Sequence, residues 1–168
     1  FIPTASDRCA PAIWDILAKH GKRSIVMNVP CTYPPRIENG IMAGCFLSPD
    51  IDRAVAPPEY VQRFKDLGYI IDVDPWKGRT DPGAFLDDLF VALDARLKTM
   101  LALMNSEPWD LFFSHIMETD RLFHFFWEQW EKGVQPYAGR FERFIGAVDD
   151  FVGQDRKSTR LNSSHSLP

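Results

Sequence analysis

Behind the pair Asp81-Pro82, the residues Leu86, Leu89, Phe90, Leu93, Leu97, Met100, Leu101 and Met104 recur at spacings of three and four. That periodicity puts them on one face of a helix about five turns long, with Asp81 as its cap and Pro82 at its first position. A helix with a single apolar face must bury that face against another layer. The candidates are three short apolar runs, Ser24 to Val29, Tyr69 to Val73 and Trp109 to Met117, which read as strands. Further helices are predicted over Ala12 to His20, Glu59 to Leu67, Arg121 to Trp130, and around Phe141, Phe144, Ile145, Val148 and Val152. Between Pro30 and Pro58 the chain is rich in Pro and Gly and reads as an ordered irregular excursion. Helices alternating with short apolar strands predict an α/β fold with a mainly parallel sheet flanked by helices.

Composition narrows the class. The 168 residues are 45% apolar and 25% charged, so the chain is long and apolar enough to bury a core and is not a disordered or collagen-like segment. No apolar run approaches the length of a membrane span. Net charge is −4, which gives no help to a nucleic-acid phosphate binder, and no signal for such a partner is present. Cys9, Cys31 and Cys45 are widely spaced and odd in number, which favours reduced thiols over a disulfide framework. The first residue is Phe1, and no basic-then-apolar leader follows it, so the chain is expected to start inside a longer protein. That leaves the compartment open.

The last fourteen residues, 155–168, differ from the rest. They hold four of the nine Ser, no aromatic residue, and three cations against one anion, so residues 1–154 alone stand at 16 minus 22, or −6. The run Asp155-Arg156-Lys157-Ser158-Thr159-Arg160-Leu161-Asn162-Ser163-Ser164-His165 resembles a translated sequencing-library adapter. Residues 1–154 are therefore expected to be the protein proper, and 155–168 a disordered artefact to be set aside, His165 included.

Chemistry is expected at the exit of the third strand, where Glu118, Thr119 and Asp120 emerge, because parallel sheets hold ligands outside the carboxyl ends of their strands. With a helix starting near Thr119 or Asp120, Asp120 and His124 lie four residues apart on one face, and both can reach one divalent ion. Sixteen Asp and four His produce about 0.4 such pairs by chance, so the spacing alone is weak. It leaves open a helix-end carboxylate beside a core histidine packed among Phe123, Phe125, Phe126, Trp127 and Trp130. Those aromatics themselves are better explained by core packing than by base stacking. His115, inside the third strand, reads as packed and hydrogen-bonded, and Thr4 and Ser6 have no base beside them. Arg121 either clamps a phosphate or pairs with Glu118 or Asp120.

Several linked blocks carry a resemblance. They are Trp14-Asp15-Ile16-Leu17 with Gly21, Asn28-Val29-Pro30-Cys31-Thr32-Tyr33-Pro34-Pro35, Asn39-Gly40-Ile41-Met42, and Phe46-Leu47-Ser48-Pro49. To these are added Trp109-Asp110 and the run Glu118-Thr119-Asp120-Arg121-Leu122-Phe123-His124-Phe125-Phe126-Trp127. Together, over residues 7–152, they resemble the type I phosphodiesterase/nucleotide pyrophosphatase family of the alkaline phosphatase superfamily. The resemblance implies a partial alkaline-phosphatase-like core, two divalent metals (zinc, or manganese), and a small phosphoester or nucleotide-type substrate. It implies Asp120 and His124 as ligands of one ion, with Glu118, Thr119 and Arg121 as supporting or substrate-contacting candidates. The family's nucleophile and first metal Asp are expected upstream of Phe1, and its Asp-His pair and last His downstream of Gln154. Where the family shows Ser-Gly before Phe, this chain has Gly44-Cys45.

The resulting expectation is part of a metal-dependent hydrolase of phosphoester or phosphodiester bonds, inactive as the isolated 168 residues. The alternatives are a phosphatase or phosphomutase relative and a non-catalytic α/β binding module.

Overall fold

The computed structural model describes the backbone of residues 3–163 and the side chains of residues 3–154. The chain divides into two compact units, Phe1–Glu118 and Thr119–Pro168.

In the first unit, a 3-10 turn at Ala5–Asp7 precedes helix α1 (Ile13–Lys19) and strand β1 (Ser24–Met27). The predicted irregular excursion contains two strands, β2 (Gly40–Ala43) and β3 (Val55–Ala56), with the short helix α2 (Ile51–Ala54) between them. Helix α3 (Val61–Asp66), the single turn α4 (Lys77–Thr80), the long helix α5 (Pro82–Ser106) and strand β4 (Leu111–Ser114) follow. The sheet runs β3-β2-β1-β4, with β2, β1 and β4 parallel and β3 antiparallel on the β2 side. The fold class is therefore α/β with a mainly parallel sheet, as the sequence predicts.

Every residue of β1 and β2 is buried, which is how the inner strands of a sheet covered on both faces should read. On one face Trp14 of α1 packs with Val26 and Met42. Gly40 sits opposite Ser24 with φ +139, and a Cβ there would lie 1.7 Å from the Ser24 carbonyl oxygen. The parallel pairing of β1 and β2 thus starts at a position only glycine fills.

Helix α5 is capped as its sequence predicts, with the Asp81 carboxylate accepting from the Ala84 N–H at 3.0 Å and Pro82 at the first helical position. Its buried stripe includes Phe85, Leu86, Leu89, Ala92, Leu93, Met100 and Leu103, but also Arg96, which is fully buried. Arg96 Nε donates to both Glu118 oxygens at 2.8 Å, Nη1 donates to the Tyr69 hydroxyl at 2.6 Å, and Nη2 donates to the carbonyls of Ile70 (3.2 Å) and Ile71 (3.0 Å). Burial pushes the Tyr69 hydroxyl above the usual phenol range, so the phenol stays neutral beside the cation.

That guanidinium corrects one expectation. Tyr69 to Val73 is not a strand: the carbonyls of Ile70 and Ile71 are taken by Arg96, so the segment fills acceptors from a side chain instead of a neighbouring strand. A second difference concerns β2, whose four residues Gly-Ile-Met-Ala carry no alternation and become a strand through their pairing with β1.

The second unit holds most of helix α6 (Met117–Glu131) and helix α7 (Tyr137–Ser163). α6 starts four residues earlier than the predicted Arg121. An aromatic seam joins the two helices. Phe123 and Trp130 each lie 5.2 Å from Phe141, Phe126 stacks on Tyr137 at 5.5 Å, and the Trp130 indole N–H donates to Glu142 at 3.3 Å. The backbone of α7 continues helical through Ser163, whereas the expectation of an unpacked tail concerns side chains from 155 onward, outside the described residues.

Candidate functional site

The chain leaves β4 at Ser114 and enters α6 at Met117, so the residues singled out from the sequence occupy the first turns of a helix. Helical geometry sets Asp120 and His124 one above the other. Asp120 Oδ1 and His124 Nε2 are 3.4 Å apart. Two donors bound to one tetrahedral zinc ion at about 2.0–2.1 Å are separated by about 3.3 Å, so this pair already has the spacing of one edge of such a site. The side chains are 43% and 70% exposed. A histidine this open is not the packed core histidine that the spacing alone left possible, and its ring is accessible to a ligand.

The fit covers one edge of a metal site. Among the described residues no group of three or more His, Cys, Asp or Glu side chains converges on a common point. A stable zinc site takes at least three protein ligands. Asp120 and His124 therefore present a bidentate platform that needs further donors.

The neighbours differ in role. Glu118 is 2% exposed, and both its oxygens accept from Arg96, so it anchors the first turn of α6 within the scaffold. Thr119 and Arg121 flank Asp120 and are half-buried. His115 lies one residue beyond β4, where its N–H donates to the Met27 carbonyl at 2.9 Å. On its ring, Nδ1 is buried without a partner among the described residues. Of the aromatics predicted as core, Phe126 is buried, but Phe123 and Trp127 are more than two-fifths exposed. At Gly44, the departure from the family pattern, a Cβ would meet Ser48 Oγ at 2.8 Å, so a side chain there requires Ser48 to shift.

Sequence reading passed over one residue at the carboxyl edge of the sheet. Asn28 follows β1, is fully buried with φ +55, and leaves both amide atoms without partners among the described residues. The register sets it level with His115, since Met27 pairs with Ser114. Two buried polar groups in need of partners thus stand side by side beyond adjacent parallel strands. The signal in the sequence was the polar Asn ending an apolar run.

A family model described as type I phosphodiesterase / nucleotide pyrophosphatase covers residues 5–162. No curated protein and no solved structure matches the chain.

Proposed function

Because the chain belongs to the type I phosphodiesterase / nucleotide pyrophosphatase family, we propose that it forms the part of a metal-dependent phosphoester or phosphodiester hydrolase that supplies Asp120 and His124 to a divalent ion. The observation that carries this reading is the 3.4 Å separation of Asp120 Oδ1 and His124 Nε2 at the open start of α6. The carboxylate offers a hard, charged oxygen and the imidazole a neutral nitrogen, a donor pair suited to zinc and acceptable to manganese. When bound, a pair of such ions supplies charge stabilisation to the attacking and leaving oxygens of an in-line displacement at phosphorus. Asp120 and His124 fix the position of one ion on a rigid helix, and Glu118 holds that helix start through Arg96. In this reading Arg121, beside Asp120 in sequence, would contact the anionic ester, and Thr119 would support the ligand carboxylate. A nucleotide-type phosphoester is the substrate class that fits the family.

Titration of the chain with zinc and with manganese tests the assignment. Asp120→Asn and His124→Gln are each expected to weaken metal binding at least tenfold, and the double variant no further than the weaker single. Unchanged affinity in both single variants would overturn it, and would favour a binding module without a metal centre.

A further inference from the structure

Asp120 and His124 do not stand alone on their helix. At about 100° per residue, Asp120, Phe123, His124 and Trp127 fall within an arc of about 100° on one face of α6. All four side chains are open to solvent, and the rings of Phe123 and Trp127 stack on each other at 5.4 Å. The four residues lie within the second unit, so one compact body presents the whole face. Large rings left exposed beside a donor pair mark a surface that meets another molecule.

The donor pair specifies that molecule. Zinc takes four donors at the corners of a tetrahedron, and the 3.4 Å between Asp120 Oδ1 and His124 Nε2 matches one edge. Two corners remain, and among the described residues no third His, Cys, Asp or Glu converges on them. A two-fold axis through the ion carries one edge of a tetrahedron onto the opposite edge. A second copy of the chain, approaching by the same face, therefore brings one oxygen and one nitrogen to the two remaining corners.

Charge sets the condition for the contact. Two Asp120 carboxylates brought face to face repel each other, whereas a divalent ion between two carboxylates and two neutral imidazoles leaves no net charge. The next carboxylate along the helix, Glu128, is already paired with Lys132 and adds little to the repulsion. The same face is thus closed to a second copy without metal and complementary to it with metal.

We propose that zinc joins two copies of the chain, Asp120 and His124 of each closing on one ion with Phe123 and Trp127 of both packed around it; this rests on the assignment of that pair to a divalent ion. An ion held by four protein donors has no open position for water or an ester, so the dimer is a closed form of the metal site. Zinc and chain concentration together then govern how much of the site is closed.

Sedimentation velocity of the 168-residue chain, in EDTA and with half an equivalent of zinc, reads the contact directly. A monomer is expected in EDTA and a dimer with zinc, at one ion per two chains. Because two chains share the ion, a tenfold rise in chain concentration is expected to lower the free zinc at half-saturation about tenfold. Cys9→Ser, which removes the exposed thiol, should dimerise as wild type does. Trp127→Gln, at an exposed position, is expected to weaken the zinc-linked dimer at least tenfold, and His124→Gln to abolish it. Zinc held by a monomer, one ion per chain and independent of chain concentration, would overturn the dimer and leave the metal assignment of Asp120 and His124 standing. Absence of zinc binding would overturn both. A dimer that persists in EDTA, survives in His124→Gln, is lost in Cys9→Ser, or forms equally tightly in Trp127→Gln would place the contact elsewhere and overturn the proposal.

Discussion

Two carboxylates two residues apart divide the work at the start of α6: Glu118 is buried and spent on Arg96, whereas Asp120 keeps two-fifths of its side chain in solvent beside His124. Their substitutions should separate scaffold from site. Glu118→Ala leaves a buried guanidinium without its counter-charge and is expected to cost about 3–5 kcal/mol. Asp120→Asn removes only an exposed pair on a helix surface and should change stability by less than about 1 kcal/mol. Urea unfolding of the two variants checks the contrast; equal losses would contradict it. The sequence showed the Asp120–His124 pairing because four residues along a helix is a local relation. It could not show which carboxylate was buried, because the partner of Glu118 lies twenty-two residues back.

At the scale of elements, legibility follows the length of the periodic signal. Helix α5 was readable from its cap, its proline and its stripe. Strand β2 was not, since Gly-Ile-Met-Ala has no pattern of its own and is made a strand by β1. The segment from Tyr69 to Val73 has the composition of a strand, yet its carbonyls go to Arg96. Local propensity lost there to a buried side chain. Gly40 was read only as part of the irregular excursion, but its role is to bring β2 against Ser24 without a side chain. Gly40→Ala is expected to destabilise the first unit by about 3 kcal/mol or more, because the obstacle is backbone and cannot swing aside. A urea midpoint within error of wild type would show that the strands pair in another way.

At the scale of the whole molecule, two donors fall short of the three or more that a zinc centre requires, and no group of three converges among the described residues. The 168-residue chain is therefore expected to hydrolyse an activated aryl phosphodiester at less than about one hundredth of the rate of a relative that carries a complete metal site, with zinc or manganese present. Deleting residues 155–168 should leave the unfolding midpoint unchanged, and resequencing the source locus with a different library chemistry should not return their codons. Arg96 has a consequence of another kind. An amphipathic helix of twenty-five residues can slide by a turn along its bed and still bury apolar surface, so greasy contact alone fixes its position poorly. A guanidinium whose acceptors are one carboxylate, one phenol and two carbonyls accepts a single alignment and forbids its neighbours. Replacing the ion pair with Arg96→Met and Glu118→Leu together avoids an unpaired charge but leaves the Tyr69 hydroxyl and the Ile70 and Ile71 carbonyls without their donor, so it should cost less than Glu118→Ala while broadening the amide spectrum of α5. In that variant the helix would hold its depth and lose its address.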